Sequence, residues 1–408
     1  FETIRQWSFK ISLIIWSKIM SKSILFVNVS DEHNLVKIEA AKKLGIKVFL
    51  VAPNLPDWAK NIVDKFIQAD TTNFSETISA LKNEYKETPF DGVITILDKS
   101  VELVAAIAEE FKLPGSSLTA ATTVKHKYKM REALRLYGVP HPKFQFVKTF
   151  NDLKNAANTI GFPLIFKPVA ASTSVAVFKL NTQAELEDAF ELMSTCERVS
   201  YWLYSDEYIA EEFMEGQEIS VEGIINQAQI HFAGITKKFV EKPGFTEWMH
   251  CFPCDLESDV CSAIYKVVEE TIHAVGINNC AFHVEVMLTS EGPKIVEVNS
   301  RMAGGFVSSH LVPLASGIDL AQASIKTALG EPIELKATKN KFACERNLFA
   351  TENGTVIDWQ HIEEIRNQPG VRDFKLLRQV NELVKVPPQG YDNLLCAVIT
   401  EGDTLQMA

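Results

Sequence analysis

The polar and apolar positions alternate first with the period of strands and then with that of helices. Residues 24–29 (ILFVNV) form a short apolar run, 35–44 an amphipathic stretch closed by Gly45, and 48–51 a second apolar run. That order predicts a βαβ unit and an open, mostly parallel sheet. DGVITIL at 91–97 adds a strand, and 101–111 adds a helix closed by Leu113-Pro114-Gly115. Ligands of such sheets bind outside the strand C-termini, where Ser30-Asp31-Glu32-His33 and Asp98 stand. A substrate-facing cleft and an ordinary polar loop are equal readings of these residues. No Gly-x-Gly-x-x-Gly follows the first strand, which disfavours a dinucleotide cofactor.

Helical spacing returns at 125–137, with Met130, Leu134 and Tyr137 on one face and Gly138 past the end. Pro140 and Pro142 mark a boundary. A helix at 151–160 leads through Gly161-Phe162-Pro163 into the strand 164–167, which ends on Lys167. A lysine there either snorkels at the strand edge or contacts phosphate, and the small hydroxylic run Ala170-Ala171-Ser172-Thr173-Ser174 favours the second. Thr182 and Glu185 form a capping-box pattern before a scaffold helix carrying Leu186, Phe190 and Met193. Strands at 208–213, 219–225 and 229–236 follow, then a helix at 260–275 capped by Gly276. Residues 311–329 read as helix interrupted at Gly317, and 342–350, 371–380 and 394–400 as a small β-rich terminal cap.

The stretch 281–305, AFHVEVMLTSEGPKIVEVNSRMAGG, reads as two strands and a turn. With the turn near Ser290 and Glu291, Glu285 is expected across from Glu297 and His283 across from Asn299. Two directly opposed carboxylates repel unless a cation lies between them, and an all-oxygen set suits Mg²⁺ or Mn²⁺. Arg301 and the bare backbone of Gly304-Gly305 add features suited to phosphate. A half-buried hairpin whose acids face water is the bland alternative.

Composition narrows the choices. With 408 residues and 46% hydrophobic side chains the chain can bury several cores. A net charge of −11 argues against a nucleic-acid partner. Seven cysteines in this length suggest no disulfide framework and a reducing, cytoplasmic setting. The apolar run 9–19 is too short to span a bilayer and lacks a signal-peptide cleavage site, so residues 1–19 read as an extension before Met20. Cys251-Phe252-Pro253-Cys254 sits in an expected loop, and incidental thiols are favoured over zinc or redox chemistry. His283 is better explained as a satisfied core imidazole than as a metal ligand, while His250 and His310 are even candidates for substrate contacts.

Four motifs in order, His126-Lys127-Tyr128-Lys129-Met130-Arg131, Phe166-Lys167-Pro168, 211–218 (EEFMEGQE) and Glu297-Val298-Asn299-Ser300-Arg301, resemble those of the ATP-grasp enzymes, and within them the carboxylate–amine ligases of the L-amino-acid ligase type. The resemblance covers the chain from about Met20 onward. It implies an α/β protein with an open parallel-sheet N-terminal domain (20–120), a two-part α+β ATP-grasp domain (121–206 and 207–333) and a small β-rich C-terminal cap (334–408). It implies ATP and Mg²⁺ (or Mn²⁺) as cofactors and an ADP-forming reaction between small-molecule carboxylate and amine substrates, with no membrane and a dimer through the N-terminal domain. Lys127 and Lys167, with Ser172 and Ser174, would hold phosphates. Glu212 and Met214 would offer backbone groups to adenine with Glu211 nearby, and Glu218 would bind ribose. Glu285, Glu297 and Asn299 would hold the metal, with Arg301 and Lys238 at the transferred phosphoryl group. A biotin-carboxylase-like or purine-pathway enzyme, or an ATP-binding protein with impaired catalysis, are the alternatives. The last is motivated by residues 169–177, which contain no glycine where the family usually has one.

Overall fold

The computed structural model describes residues 22–29, 35–172, 174–199, 206–241, 245–387, 390 and 393–408, the side chains of 194–199 excepted. Residues 1–19, the Ser30–His33 segment and Thr173, all singled out above, lie outside these.

The N-terminal sheet contains β1 (Ser23–Val27), β2 (Lys47–Ala52), β3 (Lys65–Gln68) and β4 (Gly92–Ile94), all parallel in the order β3-β2-β1-β4. Its strands are apolar on both faces because both are covered, as parallel sheets require. Leu25, Val27, Phe49 and Val51 pack with Leu81, Leu103 and Ile107 of the helices Phe74–Glu87 and Val101–Phe111. Ile24, Phe26, Val48 and Leu50 face Ile38 of the helix Leu35–Lys43 and Ile325 of the distant helix Leu320–Ala328. That second layer ties the N-terminal sheet to the rest of the protein.

A second, antiparallel sheet holds β5 (Phe144–Val147), β6 (Leu164–Pro168), β7 (Phe178–Leu180) and β8 (Tyr208–Glu212), in the order β5-β8-β6-β7 around its own apolar core. The largest sheet contains β9 (Gln217–Asn226), β10 (Gln229–Glu241), β11 (Thr246–Phe252), β12 (Cys280–Thr289), β13 (Gly292–Asn299), β14 (Phe342–Phe349), β16 (Val371–Leu376) and β18 (Leu394–Gly402). Their order is β13-β12-β9-β10-β11-β14-β18-β16, and β15 (Gly354–Thr355) and β17 (Leu383–Val384) form a separate ribbon. The terminal β-rich cap is thus no independent layer, since β14, β18 and β16 extend the main sheet through the β11–β14 pairing.

Several local expectations change. The 125–137 helix is two helices, Leu118–Lys125 and Lys127–Tyr137, broken at an extended His126 whose side chain caps the second; Tyr137 is 68% exposed. Glu185 accepts from the Asn181 amide (2.8 Å) and the Thr182 hydroxyl (3.1 Å), so no reciprocal capping box forms. The expected loop before Pro253 is strand β11. On it Cys251 pairs directly with Cys344 of β14, and the two are joined as a disulfide, which corrects the incidental-thiol reading for Cys251; Cys254 is free. Among the described residues no helix is long and apolar enough to cross a membrane.

One face of the large sheet is apolar where β9, β12 and β13 lie side by side. Val221, Val284, Val286, Ile295 and Val298 pack there against Met130, Leu134, Ile264, Val268 and Ile272 of two helices. The opposite face is divided. Ile224, Phe252, Ala343 and Ile399 lie under the segment 307–328, and the remainder is polar.

Candidate active site

The polar half of that face is built by strand alternation and two bulges. In β12 and β13, His283 pairs with Asn299 and Glu285 with Glu297. An unbroken ladder from the tight turn, where Thr289 pairs with Gly292 and Val286 with Ile295, would have put Val296 opposite Glu285. Val296 instead bulges out of register, restoring Glu297 and Asn299 to the face of Glu285 while Ile295 and Val298 stay in the core. The irregular carbonyls of Ile295 and Val296 accept from the Arg131 guanidinium at 2.9 and 2.8 Å.

A second bulge, at Trp248, lies between the pairs Phe239–Met249 and Val240–Glu247 of β10 and β11. Residues three apart in a strand normally face opposite ways. The bulge brings Glu247 and His250 to one face, where they bond at 3.0 Å. Sequence alternation alone could not find Glu247, because the bulge is what reverses it.

Lys238 is enclosed by three carboxylates, Glu218 at 2.6 Å, Glu247 at 2.7 Å and Glu285 at 3.1 Å. Burial opposes its charge, but these acids outweigh burial and raise its pKa well above the ordinary lysine value. Burial likewise opposes ionisation of Glu247, yet Lys238 and His250 hold it at about 2. Glu285 is lowered too, with Lys238 and then His283 overcoming burial. Burial first, then the neighbouring Glu285 and Glu247, push Glu218 upward despite Lys238. His283 bonds Glu222 (3.0 Å) and Glu285 (3.2 Å) as a satisfied core imidazole. Glu222 is completed by the hydroxyls of Ser220 and Thr236, both at 2.7 Å.

The second sheet supplies the facing wall. Lys167, next to last in β6, reaches Glu211 of β8 at 2.6 Å, and Arg131 reaches the same carboxylate at 2.7 Å. Arg131 and Lys167 overcome burial and hold Glu211 at about 2. Lys127 donates to the Ala171 carbonyl (3.0 Å) and pairs with Glu297 (3.1 Å). The Glu212 amide is committed to the Lys143 carbonyl at 2.9 Å. In the glycine-free loop, Ser174 and Ala176 take left-handed backbones at φ 56° and 55°. Arg301 donates to the Met302 carbonyl (2.8 Å) and lies 3.9 Å from Asp98, which also pairs with Lys125.

These walls line one cleft that is partly open to solvent. Lys127, Lys167, Ser172, Ser174, Glu211, Glu212, Met214, Glu218, Glu285, Glu297, Asn299 and Arg301 all line it, as does Glu247. Lys238 lies behind the lining, at the centre of its acids. Sequence reasoning gave no role to Arg131, although the motif containing it was visible, and missed Glu247 and Glu222. Asp98 lies with Arg301, whereas His310 points to Asp373 at 3.4 Å.

Residues 160–310 match the ATP-grasp domain and 38–115 the ATP-grasp N-terminal domain. An uncharacterised protein of Sinorhizobium fredii is 27% identical over 359 residues, 88% of this chain and 74% of that protein. The L-arginine-specific L-amino acid ligase of Bacillus subtilis is 23% identical over 335 residues, 82% of this chain and 80% of the relative. The crystal structure of L-amino acid ligase from Bacillus licheniformis superposes with a TM-score of 0.80, covering 94% of each chain at 23% identity.

Proposed function

The chain belongs to the ATP-grasp ligases, and we propose that it joins a carboxylate to an amine, with amino acids as substrates and ATP converted to ADP and phosphate. The observation that carries this reading is the pairing of Glu285 with Glu297, beside Asn299 and in a cleft that also holds Lys127, Lys167 and Arg301. Enzymes of this family use ATP with a divalent metal, and an all-oxygen donor set fits Mg²⁺ or Mn²⁺. Glu285, Glu297 and Asn299 would hold it. There it supplies charge neutralisation for the terminal phosphates.

A carboxylate oxygen is a poor leaving group. In the first step it attacks the γ-phosphorus of ATP, ADP departs, and an acyl phosphate results. In the second step the amine nitrogen attacks the acyl carbon, phosphate leaves, and the nitrogen loses a proton. No protein nucleophile is needed. Lys127 and Lys167 would position the phosphates and Arg301 would face the charge that develops on the transferred group, the terms that dominate phosphoryl transfer. Glu218, Glu212 and Met214 would hold the nucleoside. Lys238 would act by keeping Glu285 ionised and holding both Glu285 and Glu218 in place.

ADP release is to be measured with Mg-ATP and paired amino acids and carboxylates, with the product mass determined. The expected result is substrate-dependent ADP and an amide product, lost by about 10²–10³-fold in Glu297→Gln while the protein stays folded. Undiminished turnover in the variant would overturn the reading.

A further inference from the structure

Beyond the cleft lining, a group of buried polar side chains remains that the reaction above does not use. His250, Glu345 and Asn347 stand on one face of the sheet, because His250 pairs with Glu345 across β11 and β14 and Asn347 is two residues further along. Ser308, in the π-helical turn Val307–Leu311, belongs to the segment that covers this part of the sheet. All four are nine-tenths buried or more. The Oγ of Ser308 and the Oδ1 of Asn347 have no hydrogen-bond partner, and His250 Nδ1 has only the ionic contact to Glu345 at 3.5 Å; among the described residues the one other buried side-chain atom without a hydrogen bond is the Ser300 hydroxyl, next to Arg301. Unpaired buried polar atoms cost about 1–3 kcal/mol each, so a concentration of them marks a place where a partner is expected.

Glu345 is 1% exposed. It receives the Phe306 amide at 3.3 Å and lies 3.5 Å from His250 Nδ1. Its two oxygens would lie 3.3 and 3.4 Å from a Cβ at Gly305, a left-handed, exposed glycine at φ +55°. The carboxylate therefore looks toward the position where any other residue would carry a side chain, on the loop that begins at Arg301. Gly304 beside it is exposed too.

An ammonium group has three N–H donors and no acceptor. The positions that can still accept are Asn347 Oδ1, whose amide nitrogen already donates to the Glu247 carbonyl at 3.4 Å, the Ser308 hydroxyl, and the lone pairs left on the Glu345 carboxylate after its contacts with the Phe306 amide and His250. An anionic ligand fits poorly beside Glu345 and Glu247. Resting on the ligase reading for the identity of the substrates, we propose that Glu345, Asn347 and Ser308 form a subsite for the ammonium group of an amino-acid substrate, reached past the bare backbone of Gly304-Gly305. His250, held between Glu247 and Glu345, keeps the Glu345 carboxylate in place and is a positioning residue.

The test uses the full chain saturated with Mg-ADP and calorimetric titration with individual L-amino acids and with their des-amino acids, independent of turnover. Wild type should bind at least one amino acid 10-fold or more tightly than its des-amino counterpart. Glu345→Gln should reduce that ratio about 10-fold or more with ADP affinity unchanged, and Ser308→Ala, which leaves the charge intact, should reduce it a few-fold. Equal binding of both ligand classes by wild type, a ratio preserved in both variants, or loss of ADP affinity in step with amino-acid affinity would overturn the proposal. Should amino-acid selectivity behave as expected while no amide product is formed with any pair, the ligase reading fails and the subsite stands. Amide formation with an unchanged amino-acid KM in both variants has the opposite meaning.

Discussion

The hairpin β12–β13 and the ladder β10–β11 solve the same geometric problem and leave their acids with different sets of cationic partners. Each uses one bulged residue, Val296 or Trp248, to bring acids onto the cleft face. On the ladder the charge is settled within the protein, since Glu247 lies between Lys238 and His250. On the hairpin the partners are unequal. Glu285 shares Lys238 and His283, whereas Glu297 pairs with Lys127. An acid held between two cations is fixed as framework, and Glu297, with a single ion-pair partner among the described residues, is the acid of the group most available to an incoming cation.

The largest expected effect comes from removing the cation that settles the ladder. Lys238→Met leaves Glu218, Glu247 and Glu285 gathered around an apolar tip, and urea unfolding should show a loss of about 3–5 kcal/mol, together with loss of ADP release. A variant of wild-type stability would erase the distinction between the two regions.

Glu211 extends the comparison to the opposite wall, where it is closed off by Arg131 and Lys167. Its folded pKa of about 2 lies below the ordinary 4.5. Its contribution is therefore fully present above pH 4.5 and is lost as pH falls toward 2, on the order of 3 kcal/mol. Glu211→Gln should be less stable at pH 7 and show a shallower decline over that acid window in denaturant titrations at stepped pH.

His250 works in the other direction. Its pKa is raised from 6.5 to about 10, with Glu247 and Glu345 overcoming burial. The stability it confers is complete below pH 6.5 and disappears as pH climbs through about 10. His250→Gln should flatten this alkaline decline and leave the acid limb unchanged.

The smallest effect is expected at Ala176, where glycine would relieve a left-handed backbone at an entropic cost of similar size. Ala176→Gly should change stability by no more than about 1 kcal/mol, toward stabilisation. Its KM for ATP should be no higher than that of wild type.

Much of the site was legible because residues 282–286 and 297–299 alternate with period two on either side of the Val296 bulge and the motifs are local. His283, Glu285, Glu297 and Asn299 could be paired on paper, and twelve of the expected site residues do line one cleft. What could not be read depended on contacts distant in sequence or on broken alternation. Trp248 reverses the side on which Glu247 lies, Glu345 reaches His250 from the chain's last hundred residues, and the Cys251–Cys344 bond joins residues 93 apart. Lys238 is the instructive intermediate. The resemblance singled it out as a phosphate-side lysine, and the structure surrounds it with three acids that no local pattern announces.

The claim on which these readings depend is that Glu285, Glu297 and Asn299 hold a divalent cation with the nucleotide. Electron paramagnetic resonance titration of Mn²⁺ into the ADP-saturated protein measures this without turnover. Wild type should bind Mn²⁺ in the presence of ADP, and Glu297→Gln should weaken that binding by 10²-fold or more, about 2.7 kcal/mol, while retaining its fold. Equal Mn²⁺ affinity in the two proteins would contradict the account.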